Sequence, residues 1–182
     1  MRIEPLPEER WDGELGRLLT LPSGVLNGRL GDNNVFSSLA RNEALFRAWM
    51  PLVGHLLRRG LLPARDRELL ILRTACNCGS SYEWGQHAMV AERAGMPGDE
   101  IRRVVEGPDA AGWSAGDAAL LRAADELHRD AKITTPTWAA LAERYDEASL
   151  IEIIMLVGHY HMVAFALNSL EVDLDEWLEP LP

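Results

Sequence analysis

From Asn34 to Val172 apolar side chains recur every three or four residues and almost never alternate. That spacing constrains the chain most, because a period near 3.6 lines apolar groups along one face of a helix and leaves little room for strands. In "NVFSSLARNEALFRAWMPLVGHLLRRG" it puts Val35, Leu39, Leu45, Phe46, Trp49, Leu52, Val53, Leu56 and Leu57 on apolar stripes. Pro51 is expected to break or kink this segment, and Gly60 to end it. "LPARDRELLILRTAC" reads as a helix start, with Pro63 near the first turn and charges leading into an apolar run. A further helix is expected from Ser81 to Ala94, stopped by Gly95. "MPGDEIRRVVEG" is a short one closed by Gly107.

The next helix opens on Ser114, with Asp117 as an acidic capping partner, and another starts behind Thr135 with Pro136 in its first turn. "DEASLIEIIMLVGHYHMVAFALNSL" is long and strongly apolar, and is expected to be the most buried helix. Residues 1–33, with "PLPEER", "LPSG" and "NGRLGDNN", are turn-rich and read as a partly irregular arm. The expectation is an all-α protein: an arm over 1–33, then a single helical domain over 34–182 with about seven to eight helices. "LVGH" occurs at 52–55 and again at 156–159, too short an echo to establish a duplicated unit.

Composition narrows the function classes. With 28 acidic against 18 basic residues the net charge is −10, so nucleic acid is excluded as an expected partner for want of a basic face. No uninterrupted apolar run approaches the ~20 residues of a membrane span, and "MRIEPLPEERWDGELG" has no secretory pattern. Two cysteines, Cys76 and Cys78, are too few for a disulfide framework and suit a reducing cytoplasm.

The chemistry-bearing stretch is "NCGSSYEWGQH". Ser80, Glu83 and His87 are spaced i, i+3 and i+7 and share one helix face. Glu83 and His87, four apart, form a candidate proton-transfer pair, because a carboxylate orients an imidazole and favours its charged form. Glu68 on the preceding helix is a second carboxylate able to reach His87 if the two helices are antiparallel neighbours. A competing reading makes Ser80 to Glu83 a capping box, which would occupy Glu83 at the helix start. Tyr82 and Trp84 read as packing residues.

Cys76 and Cys78 lie on nearly opposite helix sides and read as small buried groups. With His87 they lack a fourth ligand and zinc spacing, so no metal is expected. His159 and His161, two apart, face different sides, and one of them is a candidate for the groove of His87. Glu152 shares the face of His159 and is a conceivable acid/base partner. His55 and His128 carry no comparable neighbours.

The segments "LPARDRELLILRTACNCGSSYEWGQHAMVAERAG", "DELHRDAKITTPTWAAL" and "LIEIIMLVGHYHMVAFALNSL" resemble the carboxymuconolactone decarboxylase-like superfamily, which includes the alkylhydroperoxidase D-like proteins. The resemblance spans residues 34 to 172. It implies an all-helical fold assembled as trimers or hexamers, with dimers as an alternative, and a site near subunit contacts. The peroxidase branch has a glutamate, a C-x-x-C pair and a histidine. Glu68 and His87 match its glutamate and histidine, Ser80 and Glu83 fall on the two cysteine positions, and Tyr82 falls where a second histidine is common. Peroxide reduction needs a thiolate, and serine cannot cycle through a disulfide.

The resemblance therefore implies a cofactor-free acid/base enzyme, a decarboxylase, lactone-acting enzyme or related lyase or isomerase, on a small organic metabolite. His87 would transfer the proton with Glu83 or Glu68 orienting it. Ser80, Tyr82, Arg73, His159 and His161 are candidate substrate contacts, and Arg65, Arg67 and Arg73 are the candidate cations for an anionic substrate. Two alternatives stay open: a thiol peroxidase or reductase using Cys76 or Cys78, and a non-catalytic assembly or ligand-binding protein.

Overall fold

The computed structural model describes all 182 residues. It is all-helical: α1 (Gly13–Leu19), α2 (Asn34–Leu39), α3 (Glu43–Arg58), α4 (Ala64–Cys78), α5 (Ser81–Arg93), α6 (Gly98–Glu106), α7 (Ala115–Asp130), α8 (Thr135–Ala142) and α9 (Glu147–Leu170). The chain divides into two compact units, Met1–Gly60 with Leu167–Leu178, and Leu61–Ala166 with Glu179–Pro182. This division falls elsewhere than the arm boundary at residue 33.

In the first unit the N-terminal segment is well folded. The Trp11 indole donates to the Leu6 carbonyl at 2.9 Å. Its ring lies so close to Gly31 that a Cβ there would come within 2.2 Å of it. Arg29 bonds both Glu8 and Asp32, and the Asn34 amide donates to Asp175 at 3.0 Å. The expected helix from Asn34 to Gly60 is split into α2 and α3 at residues 40–42, where Asn42 caps α3 by accepting from the Leu45 amide. Pro51 sits inside α3 without ending it. Its missing N–H removes one intrahelical bond, and the surrounding turns carry the helix through.

The second unit is built around α4. Leu69, Leu70, Ile71 and Leu72 are consecutive and wholly buried, so α4 is enclosed on all sides. This corrects the expectation that α9 is the most buried. Leu150, Ile153, Leu156 and Val157 of α9 face inward, but Ile151, Ile154, Met155, Met162 and Phe165 stand in solvent on its other side. Apolar residues run all round α9, and this chain covers only one face. By length and composition α9 could cross a membrane, yet 56% of its most apolar window is buried inside the protein.

Helix ends follow from local chemistry. α4 closes on Gly79 in the left-handed region (φ 59°), which a glycine adopts without a Cβ penalty. The Ser80 amide returns to the Ala75 carbonyl at 2.9 Å, and α5 starts one residue later. Ser114 caps α7 by accepting from the Asp117 amide at 3.1 Å. Glu126 accepts from the Thr134 amide and from the Thr134 and Thr137 hydroxyls, tying α8 to the end of α7. Glu152 accepts from the amides of Leu61 and Leu62 at 2.8 to 3.1 Å. Glu152 therefore holds the entry to α4 and is not the partner of His159.

Candidate functional site

The tight α4–α5 hairpin brings Glu68 and His87 together. His87 Nδ1 lies 2.7 Å from Glu68 Oε2, with Glu68 wholly buried and His87 nearly so. Arg67 Nε donates to the other oxygen, Glu68 Oε1, at 2.8 Å. A carboxylate that already accepts from a guanidinium faces Nδ1 as an acceptor, so Nδ1 is the donor and the ring presents Nε2 for other work. Of the two candidate carboxylates, Glu68 is the one that orients the histidine.

Glu83 does neither thing expected of it. It makes no bond to His87, and it does not cap the helix: both its oxygens are buried without a hydrogen-bond partner. Ser80 occupies the N-cap position but its side chain accepts no amide, and its Oγ is likewise buried and unpartnered. The capping-box reading is thus corrected. A Glu83 carboxylate folded onto the helix start would have been solvated or amide-bonded, whereas here it is driven inward. Burial pushes its pKa well above the ordinary carboxylate range, so the side chain is a neutral acid.

Tyr160 of α9 completes the cluster. Its ring meets the His87 ring edge-on, with centroids 4.8 Å apart and planes at 88°. Burial first, then the nearby Glu68 and Glu83, push its phenol pKa well up, so it stays protonated. His159 packs edge-on against the same tyrosine at 5.2 Å. Burial, with a smaller contribution from His87, lowers the His159 pKa to about 4, so this ring is neutral near pH 7. Sequence reasoning missed Tyr160. Its only signal was its place between two histidines in "GHYHM", where the residue at 160 shares the inward face with Leu156 and Val163.

The remaining candidates have partners of their own. Arg73 is bound to Asp125 at 2.6 and 3.0 Å and to the carbonyls of Val104 and Val105, which makes it a clamp between α4, α6 and α7. Arg65 is bound to Asp117 and Glu100. With Arg67 on Glu68, all three expected anion-binding cations are thus held by carboxylates. Tyr82 is buried and its hydroxyl lies 3.2 Å from Gln86 Nε2. His161 points away from His87 and meets His128, with Nε2 and Nδ1 3.0 Å apart, so His128 does have a chemical neighbour. His55, the counterpart of His159 in the repeated "LVGH", is exposed, and the two share no environment.

Neither cysteine is in a disulfide. Burial raises the Cys76 thiol to about 12 and, with Glu83 adding to it, the Cys78 thiol to about 11. Both sit in the last turn of α4, where the helix dipole further disfavours a thiolate.

Residues 43–126 match the carboxymuconolactone decarboxylase family. Among solved structures, the debrominase Bmp8 superposes with a TM-score of 0.81 at 15% identity, covering 96% of this chain and 92% of that one. An alkylhydroperoxidase AhpD core, an uncharacterized peroxidase-related protein from Ralstonia eutropha, gives 0.80 at 18% identity, covering 94% and 91%. A putative antioxidant defence protein AhpD from Agrobacterium tumefaciens gives 0.69 at 16% identity over 75% and 94%. No curated protein matches the sequence.

Proposed function

We propose that this chain, whose residues 43–126 match the carboxymuconolactone decarboxylase family, carries out cofactor-independent proton transfer on a small organic metabolite, with His87 as the general base. The carrying observation is the Arg67–Glu68–His87 chain of contacts, with Glu68 and His87 buried, which holds the imidazole at Nδ1 and leaves Nε2 to act. Glu83 and Ser80 support the reading. Buried polar groups without partners are rare and costly, and a substrate oxygen would accept from both the neutral Glu83 acid and the Ser80 hydroxyl. Such a substrate carries a carbonyl or hydroxyl oxygen. With Arg65 and Arg73 already paired, the site is built to donate hydrogen bonds and not to hold an anion by a spare cation. The raised thiols of Cys76 and Cys78 argue against the thiol-peroxidase alternative.

Assembly belongs to the same proposal. The exposed apolar stripe Ile151, Ile154, Met155, Met162 and Phe165 supports a homo-oligomer in which a second copy covers α9. The two unbridged thiols fit a cytoplasmic setting.

The test is a panel of small lactones, 3-oxo acids and hydroperoxides assayed with wild type, His87→Gln and the Cys76→Ser/Cys78→Ser double variant. The proposal expects turnover of a carbonyl substrate that falls at least about 100-fold in His87→Gln and is unchanged in the double cysteine variant. Hydroperoxide consumption that needs either cysteine would replace it with the thiol mechanism.

A further inference from the structure

On the opposite side of α9 from His159, Cys78, His128 and His161 converge. One ligand atom from each lies within 4.8 Å of the other two. They come from three helices: Cys78 ends α4, His128 lies in the last turn of α7, and His161 is on α9. His128 is exposed and the other two are half-buried, so the cluster opens to solvent. From these residues we propose a binding site for a zinc-class divalent cation, held by Cys78 Sγ, His128 Nδ1 and His161 Nε2.

Three features of the geometry carry this. First, His161 Nδ1 lies 2.8 Å from the Val157 carbonyl. A carbonyl only accepts, so Nδ1 holds the proton and Nε2 turns its lone pair to the cluster. That is the outer hydrogen bond by which metal-binding histidines are oriented. Second, the 3.0 Å between His128 Nδ1 and His161 Nε2 is close to the spacing of two nitrogens around a tetrahedral ion with ~2.0 Å bonds. In the metal-free protein one shared hydrogen bridges them. Third, α4 and α7 both direct their C-terminal ends here, and the partial negative charge of a helix C-terminus favours a cation.

The donor set selects the metal. A thiolate with two imidazoles suits zinc or a late transition ion, and suits neither magnesium nor calcium, which take oxygen ligands. Asp125 is not a fourth ligand, because its oxygens are occupied by Arg73 and Asn77. Water or a small ligand fills the fourth position. On binding, the Cys78 thiol releases its proton to solvent. His128 stays neutral, its hydrogen moving from Nδ1 to Nε2, so one proton is lost per metal bound.

Cobalt(II) is the probe, titrated into the full chain, because thiolate coordination to cobalt gives a charge-transfer band that imidazole alone does not. One cobalt per chain, with that band, displaced by zinc, is the expected result. Cys78→Ser should abolish the band and Cys76→Ser should leave it intact. His128→Ala, a change at an exposed position that does not threaten folding, should weaken binding at least about tenfold, since even the outer partners of metal ligands are worth about that. Absence of the band in wild type, its survival in Cys78→Ser, or unchanged affinity in His128→Ala would overturn the site.

Discussion

At the residue scale, the site turns on two carboxyl groups with opposite surroundings. Glu68 accepts from Arg67 and faces His87, whereas Glu83 has no partner and is held neutral by burial. The folded Glu83 keeps a proton that the unfolded side chain loses near pH 4.5, so folding stability falls as pH rises above that value. Glu83→Gln should therefore raise the melting temperature at pH 8 relative to wild type, with the difference shrinking toward pH 4. Thermal unfolding followed at both pH values checks this.

His159 works in the other direction. Its pKa, lowered to about 4 from 6.5 by burial and by His87, means that the unfolded chain takes up a proton first as pH falls. Stability is present above pH 6.5 and declines by up to about 3 kcal/mol as pH drops to about 4. His159→Phe should flatten that acid-side decline, measured by urea unfolding at pH 7 and pH 4.5.

At the element scale, much was legible. The start of α7 at Ser114 and the stops at Gly95 and Gly107 were written in capping and breaker residues, which act locally, while α8 begins one residue earlier than expected, behind Thr134. Pro51 was misleading because one missing amide bond on an exposed face costs less than the packing of α3 returns. The sequence offered both Glu83, four residues from His87, and Glu68 on the preceding helix, but spacing along one helix could not single out Glu68, nineteen residues away on α4. The same limit hid Tyr160 and the meeting of His128 with His161, since both need three-dimensional neighbours that periodicity does not encode. The hairpin depends on Gly79: with φ at 59° and open space around it, Gly79→Ala should cost about 1 kcal/mol by backbone strain alone, measurable by chemical denaturation.

At the scale of the whole molecule, the fold is that of the alkylhydroperoxidase D-like proteins. In the proposed homo-oligomer the α9 stripe would link the site to the subunit contact, because the helix that presents Tyr160 and His159 inward presents Met155, Met162 and Phe165 outward. Replacing Phe165 with Glu should shift the protein to monomers in sedimentation velocity without reducing helicity.

The most direct test of the account is the nitrogen NMR signal of His87, assigned by its loss in His87→Gln. The account predicts that Nδ1 carries a strongly hydrogen-bonded proton, and that this hydrogen bond weakens in Glu68→Gln. A ring whose Nδ1 carries no proton, or a spectrum indifferent to Glu68→Gln, would contradict it.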